Sequence, residues 1–526
     1  MAKHKIIVWV LLLSAMSTYA QTPRERYEAF KNQARQQYED FRSNANRQYA
    51  EFVRRAWKQY SVEKPIAVPQ EQPAPPVVCP DEERQQERKD EASPFEEIVV
   101  VAPPQPQPQP VAPIHPIEPA PQPPSPVPNP IPPIEPKPDP PIPQPVSPKP
   151  QPKPVQQAKD SLSIIFYGTR MSYHLAARPQ FSLTGKNENA VADAWKELSN
   201  GQCDDLLAQC LYLRKRYRLN DWAYIQLLDK LSTKTVGTSG DKATLMMAWL
   251  YCQSGYKMRL ARSAEHLYMM YACDNVIYHN TYLTLEDGRY YLYRGKDSEE
   301  VYVCEVAFPQ ERTMTLHMSK LPLMDVSLSA PRTLQSKRFP ALRVQTTVNR
   351  NLMDFYNEYP LGGTDRSFGC QWAMYANTPL DEDVQESLYP QLCNALTGVS
   401  TLQAVQMLLD LVQTAFVYEY DDTVWGCDRA FFPDETLYYP YSDCEDRSIL
   451  FSRLVRDLLG LDVVLIYYPG HIATAIRFEG EQPSGDYFQL DEGRYFVADP
   501  TYIGADIGMT MPRYRGVSVK IIRLKK

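Results

Sequence analysis

Aromatic and small apolar residues recur every 11 positions between residues 24 and 60. Eleven residues complete three helical turns at about 3.67 residues per turn, so the repeat keeps one stripe on a single helix face. Charged and amide side chains fill the other faces, which predicts an amphipathic helix over residues 21–63. The stripe consists of Tyr27, Tyr38, Tyr49 and Tyr60, of Phe30, Phe41 and Phe52, and of Ala34, Ala45 and Ala56.

Two roles fit this aromatic stripe. It can be a surface for self-association or for another protein, or it can fold back on the globular part of its own chain. An aromatic stripe on a helix is expected to pack against some apolar surface. The sequence pattern does not distinguish another molecule from the globular part of the same chain. The residues that would carry an intermolecular contact are Tyr27, Phe30, Tyr38, Phe41, Tyr49 and Phe52.

Proline dominates residues 64–158. The chain contains 48 prolines, and a segment of this composition cannot build a core, so we predict a disordered linker. From residue 103 to 154 the linker should be mostly polyproline II, which at about 3.1 Å per residue spans on the order of 150 Å.

The pattern becomes that of a folded α+β protein from about residue 159 to the end. A helical apolar pattern over 449–458 stops at Gly460. Strand-like runs follow at 463–466, 471–476 and 494–498. This order predicts a helix packed on an antiparallel sheet.

The first residues and the net charge indicate where the protein acts and which partners are excluded. Residues 1–20 have a basic start, a short apolar run and small residues before Gln21, which predicts a cleaved signal peptide and an exported protein, periplasmic or extracellular. No later apolar run is long enough to cross a bilayer. The net charge of -7 argues against nucleic acid as a partner. Ten cysteines without a CxxC pair give no indication of a metal site.

Three residues near the C-terminus combine into a candidate catalytic site. Cys444 stands where the helical pattern begins, with Ser442 and Glu445 at capping-box spacing, and a helix start stabilises a thiolate. His471 begins a strand, and Asp499 follows another strand directly before a proline. A thiol, an imidazole and a carboxylate are the parts of a nucleophilic triad.

These motifs resemble those of the transglutaminase-like, papain-fold thiol superfamily. That family has D-C-x-D opening a helix, a histidine starting a strand and D-P-T after the next strand, and the corresponding segments here are 443–446, His471 and 499–501. The resemblance covers roughly residues 400–510 of a domain that we place at 366–526. It implies that Cys444 attacks an acyl carbon, that His471 moves the proton and that Asp499 orients the imidazole.

The donor for an oxyanion is less clearly marked. The Cys444 backbone N–H is one candidate, and Trp425, Tyr438 or Tyr439 could supply another or could line the cleft. These aromatic residues belong to a segment, 418–441, that we interpret as a cleft wall.

A second copy of the motif frame lies 205 residues upstream. At this constant offset Ser239 aligns with Cys444, His266 with His471, and Arg294 with Asp499. We therefore predict a degenerate, catalytically inactive domain of the same type over 159–300, clearest over 220–297. Residues 301–365 alternate in short apolar runs and predict a small β-rich module or insertion.

Three functions remain open on these observations. The first is a thiol hydrolase, a peptidase or amidase acting through a thioester on protein or peptide substrates. The second is transfer of the acyl group from a glutamine side chain to an amine, which crosslinks proteins. The third is a non-catalytic adaptor that presents paired domains to a peptide or a cell-envelope partner. None of the three requires a cofactor.

Overall fold

The computed structural model describes residues 23–68, 73–85, 91–92, 98–101, 160–295, 300–363 and 370–525. The predicted signal peptide at 1–20 and the polyproline segment at 103–154 lie outside these ranges. The described residues form a mixture of helices and mainly antiparallel sheets, so the fold class is α+β, as predicted.

The N-terminal helix is shorter than predicted. It runs over Pro23–Val53, and Trp57–Ser61 is a strand that pairs with Glu300–Cys304. The C-terminal half of this helix packs on its own chain, because Tyr49 is 2% exposed and stacks near Trp195 at 4.8 Å between ring centroids. The N-terminal half leaves its stripe in solvent, with Tyr27 63% and Phe30 68% exposed.

The first half of the globular part is built on a six-stranded antiparallel sheet, which we call the first sheet. Its strands follow the spatial order Trp57–Ser61, Glu300–Cys304, Met258–Arg262, Leu267–Ala272, Gly288–Leu292 and Tyr282–Leu285. Helices precede it at Glu188–Leu198, Asp204–Arg216, Asp221–Val236 and Asp241–Gln253. A hairpin of Asp160–Phe166 and Thr169–Leu175 packs against two of these helices.

The second half is built on a seven-stranded sheet, the second sheet. Its spatial order is Glu91–Ala92, Asp486–Leu490, Gly493–Ala498, His471–Arg477, Asp462–Tyr468, Val519–Arg523 and Ile98–Val101. The helices of this half are Cys370–Asn377, Glu382–Ala395, Thr401–Ala415, Asp421–Val424, Pro433–Tyr438 and Cys444–Leu459, followed by a 3₁₀ turn at Pro512–Tyr514. Short strands at Val417–Tyr418 and Tyr441–Ser442 pair in parallel.

The two sheets share one strand order. In each sheet, two strands that are consecutive in the sequence form a central hairpin. The last strand of the copy pairs with one side of this hairpin. A second hairpin lies on the other side, and its later strand is the one that pairs with the central hairpin. Strands at Met258–Arg262 and Leu267–Ala272 recur 205 positions later within Asp462–Tyr468 and His471–Arg477. The helix that precedes each sheet, Asp241–Gln253 or Cys444–Leu459, obeys the same offset.

The proposed linker is partly ordered, and the prediction of disorder over 64–158 is wrong for the described part of that segment. Ile98–Val101 pairs in parallel with the edge strand Val519–Arg523, and Glu91–Ala92 pairs with the opposite edge. Val77–Val78 pairs with Tyr502–Ile503. Unpaired edge strands expose backbone donors and acceptors, which explains why the apolar run Ile98–Val101 within the proline-rich sequence becomes ordered there.

Residues 301–365 do not form the separate β-rich module that the sequence predicted. Their first strand belongs to the first sheet, and a small hairpin of Arg332–Gln335 and Arg343–Thr346 packs against helices of the second half. The helix Arg350–Asn357 follows, and Gly362–Gly363 pairs with Val276–Ile277. The strands at Glu300–Cys304 and Gly362–Gly363 pair with distant parts of the sequence, whereas Arg332–Gln335 and Arg343–Thr346 pair with each other.

A single buried apolar cluster runs through both halves, from Tyr49 in the N-terminal helix to Ile522 in the last strand. Two smaller clusters cover the outer faces of the two sheets. Among the described helices, we find none with the length and apolar character needed to cross a membrane. The continuous core means that the two sheets are held together as one folded unit.

The attachment of the N-terminal helix depends on a buried polar network around Asn46. Asn46 and Gln253 exchange two hydrogen bonds of 2.9 and 3.0 Å, and the Trp195 indole donates to Asn46 at 3.2 Å. We expect Asn46→Ala to leave two buried side chains without partners and to lower the free energy of unfolding by about 2–4 kcal/mol. Chemical denaturation would measure the change. Asn44→Ala, at an exposed position of the same helix, should change it little, and an equal loss in both variants would contradict the network's role.

Candidate functional site

Cys444 is the first residue of the helix Cys444–Leu459, as its position in the sequence predicted. The cap differs from the prediction by one residue: Asp443 is the N-cap, and Asp446 accepts a hydrogen bond from the Asp443 backbone N–H at 3.3 Å. Ser442 cannot take that role because it lies in the short strand Tyr441–Ser442 and accepts a hydrogen bond from Arg447 at 3.2 Å.

His471 and Asp499 meet in the second sheet. The His471 Nε2 and Asp499 Oδ2 atoms are 2.9 Å apart, and both side chains are buried. The other oxygen of Asp499 accepts hydrogen bonds from the backbone N–H groups of Thr501 and Tyr502 at 2.8 and 3.2 Å. His471 Nδ1 is buried and makes no hydrogen bond to the described residues. The carboxylate is therefore fixed, and it leaves one imidazole nitrogen available.

The first turn of the Cys444 helix packs on the beginning of the His471 strand. Ser448 donates to the Ile472 carbonyl oxygen at 3.0 Å, and the Ile472 backbone N–H interacts with the Cys444 thiol. Since Ile472 directly follows His471, the thiol and the imidazole lie at the same corner of the domain. The sequence predicted this convergence of Cys444, His471 and Asp499 from their motifs alone.

Three tyrosine rings lie around this corner. The Tyr514 ring lies parallel to the His471 ring, with 5.2 Å between centroids and 7° between planes, and Tyr468 stacks at 5.9 Å. Tyr418 approaches from the Cys444 side: burial, and next the Cys444 sulfur, raise the pKa of its phenol. Tyr418 begins the segment 418–441 that the sequence analysis interpreted as a cleft wall, whereas no local signal distinguished Tyr468 and Tyr514 among the 35 tyrosines of the chain.

The surroundings of the thiol are acidic. Burial raises the pKa of Cys444 well above its usual range, and the carboxyl groups of Glu445 and Asp443 add to the rise. The thiol donates a hydrogen bond to Glu445 Oε2 at 3.1 Å. The helix start and the Ile472 N–H favour a thiolate, but they are outweighed here. In this arrangement Cys444 is a protonated thiol.

Several buried carboxylates extend from the thiol into the segment before the helix. Asp421, Asp443 and Asp446 bring side-chain oxygens within 4.8 Å of one another, and Glu445 joins Asp421 and Asp428 in a second group. Carboxylate oxygens are the ligands that Ca²⁺ and Mg²⁺ take in proteins. This is where the described residues could hold a cation.

The predicted oxyanion candidates form a cluster of their own. The Arg429 guanidinium lies 4.6 Å from the Trp425 ring centroid, Trp425 packs on Tyr439 at 4.8 Å, and the Tyr439 hydroxyl donates to Asn357 at 2.9 Å. Tyr438 packs against Tyr439. Among the contacts of the described residues, we find none that joins these three rings to Cys444, so their assignment as oxyanion donors is not supported.

The three aligned residues of the first copy do not form a comparable site. Ser239 is exposed and precedes the helix Asp241–Gln253. The His266 side chain is 67% exposed and approaches Asp241 at 3.9 Å. Arg294 is 68% exposed and forms an ion pair with Asp229 at 3.1 Å. A surface serine beside an exposed imidazole, with arginine at the acid position, lacks the buried geometry of the second copy.

Buried carboxyl groups near the site make stability depend on pH. Burial above all raises the pKa of Asp434 to about 8, and the charge of Asp381 adds to it. The folded protein therefore keeps a proton on Asp434 that the unfolded chain releases near pH 4. The stability that this proton contributes is lost as the pH rises toward 8. We expect Asp434→Asn to reduce the fall in melting temperature between pH 5 and pH 8. Asp422→Asn, at an exposed position, should leave that fall unchanged; identical pH profiles for wild type and Asp434→Asn would contradict the assignment.

Comparison with known proteins adds no family or relative to this picture. No protein-family model matches the chain, and a search of curated proteins finds no match. The case for a function therefore rests on the residues of the site, their spacing and their geometry.

Proposed function

We propose that the protein is an exported transglutaminase-like thiol hydrolase, a peptidase or amidase that acts on proteins or peptides through a thioester. The observation that carries the proposal is the buried pair of His471 Nε2 and Asp499 Oδ2, 2.9 Å apart, beside the helix start that bears Cys444. A histidine oriented by a carboxylate next to a thiol at a helix N-terminus is the arrangement that thiol hydrolases use.

The chemistry follows from the two nitrogens of His471. Asp499 binds Nε2, so Nδ1 would accept the proton of the Cys444 thiol. The resulting thiolate attacks the carbonyl carbon of an amide, and the imidazolium then returns its proton to the leaving amine. The thioester that remains is hydrolysed by water, whose proton passes to the same Nδ1 before Cys444 regains it.

Two steps must precede this reaction. The thiol has to leave Glu445, to which it donates, and turn toward His471. It also has to lose its proton despite a raised pKa. A cation that neutralises the carboxylates would assist the second step, because their negative charge disfavours the thiolate.

Acyl transfer to an amine uses the same triad and differs only in the second acceptor. Whether the thioester meets water or an amine depends on what the site excludes. Product masses after incubation with an added primary amine would separate hydrolysis from transfer. A joined product would favour transfer, and a product with a free carboxyl group would favour hydrolysis.

The non-catalytic adaptor is supported by a different observation. Cys444 is 2% exposed, its pKa is raised, and the first copy lacks a matching triad. An adaptor would bind a peptide without forming a thioester, and its Cys444 would react with thiol-directed reagents no faster in the presence of His471 than without it.

The catalytic proposal is tested by trapping the acyl intermediate. We expect wild-type protein incubated with an activated acyl ester to carry the acyl mass on Cys444, and Cys444→Ala to carry none there. His471→Ala should slow acylation by about 10²–10⁴-fold, since general-base catalysis contributes that much. The matched control is His266→Ala, which removes the aligned histidine of the first copy and should acylate at the wild-type rate. Equal acylation of His471→Ala and wild type would favour the adaptor.

A further inference from the structure

A short proline-containing segment, residues 73–78, runs along the corner that holds the candidate site. It is an N-terminal segment, about 370 residues before Cys444 in the sequence, and it belongs to the stretch predicted to be a linker. Its neighbours at 91–92 and 98–101 pair with the two edges of the second sheet. Residues 73–78 instead contact loops that adjoin the catalytic candidates.

Ala74 is the centre of this contact. Its backbone N–H donates to the Gly470 carbonyl oxygen at 2.8 Å, and its carbonyl oxygen accepts a hydrogen bond from the Tyr418 hydroxyl at 3.3 Å. Gly470 directly precedes His471, and Tyr418 is the phenol that lies near the Cys444 sulfur. Both backbone groups of one residue are thus bound by the two sides of the site, as in the binding of an extended peptide.

The side chain of Ala74 is also enclosed. It is 3% exposed and belongs to the same buried cluster as Tyr468 and Tyr514, the two rings that stack on His471. A methyl group at this position fits, and a larger side chain would displace the segment or the rings.

The segment is held on its far side by the loop after Asp499. Val77–Val78 pairs in parallel with Tyr502–Ile503, and the Cys79 N–H donates to the Ile503 carbonyl oxygen at 2.8 Å. Residues 73–78 therefore extend from the turn before His471 to the strand that follows Asp499. This path crosses the ends of the strands that carry the candidate residues. Residues 91–92 and 98–101 already cover the two edges of the second sheet, so edge pairing does not explain the position of residues 73–78.

We propose that the groove between Tyr418 and Gly470 is the substrate groove of the Cys444 site, and that residues 73–78 occupy it as an internal inhibitor. The groove takes an extended peptide with a small side chain at the Ala74 position. Prolines at 73, 75 and 76 fit the segment because they have no backbone N–H, and the groove uses only the N–H of Ala74 there. The inference rests on the proposed function, since it names the substrate class of that site.

The first arm of the test displaces the segment. In the full chain, Ala74→Arg should expel residues 73–78 and raise the rate at which iodoacetamide alkylates Cys444 by roughly tenfold, the ratio that corresponds to one lost hydrogen bond. Mass spectrometry of the Cys444 peptide separates this thiol from the other cysteines. The matched control is Gln85→Arg, which adds the same charge at an exposed position outside residues 73–78 and should react at the wild-type rate.

A second variant covers the case in which Ala74→Arg does not fold. Tyr418→Phe removes only the hydroxyl that binds the Ala74 carbonyl, so we expect a smaller increase in the same direction. Thermal unfolding identifies which variants are folded. Alkylation of folded Ala74→Arg and folded Tyr418→Phe at the wild-type rate would overturn the proposal.

The second arm does not need catalysis. A blocked synthetic peptide with the sequence of residues 73–78 should bind the Cys444→Ala, Ala74→Arg double variant and should not bind Cys444→Ala alone, where the groove is filled. The same peptide should return the alkylation rate of Ala74→Arg toward that of the wild type. Absence of binding to the double variant would refute the groove. Binding without any acyl intermediate in the trapping experiment would instead refute the catalytic function and leave the groove standing.

Discussion

The contact between the first turn of the Cys444 helix and the first residues of the His471 strand sets the geometry of the whole site. Ser448 donates a hydrogen bond from the helix to the Ile472 carbonyl oxygen. The backbone N–H of Ile472 interacts with the Cys444 sulfur. The strand in turn pairs with Gly493–Ala498, and Asp499 directly follows that strand. One helix-to-sheet contact and one strand pair thus bring together three residues that span 56 positions of the sequence.

This packing requires charged groups to be buried, and each of them has specific partners. Arg447 is fully buried and donates to the carbonyl oxygens of Gln413 and Phe416 at 3.3 and 3.1 Å, which anchors the beginning of the segment inserted before the helix. Asp446 anchors that segment further on by accepting from the Phe431 N–H at 2.8 Å. The neighbouring carboxyl groups of Glu445 and Asp443 add to the effect of burial in raising the pKa of the thiol, so the acidic start of this helix disfavours the thiolate.

The two copies share the same helix and strand order, but they differ in the residues of the candidate site. Helix and strands keep the offset of 205 residues and the same order in the sheet, because apolar residues at matching positions build matching cores. The shared secondary structure does not by itself produce the site. His266 and Arg294 are exposed to solvent, whereas His471 and Asp499 at the aligned positions are buried. Described N-terminal residues contact both copies: Trp57–Ser61 pairs with the last strand of the first sheet, and Ile98–Val101 pairs with the last strand of the second.

The sequence by itself determined the α+β class, the helix that begins at Cys444, and the strands that place His471 and Asp499, because apolar periodicity and motif spacing are local properties. Only the tertiary structure decided that Tyr514 and Tyr468 stack on His471, that Trp425 and Tyr439 pack on each other, and that burial raises the pKa of the Cys444 thiol. It also decided that residues 73–78 lie beside His471. Burial, pKa and edge pairing depend on which distant residues meet, and periodicity along the chain carries no information about that.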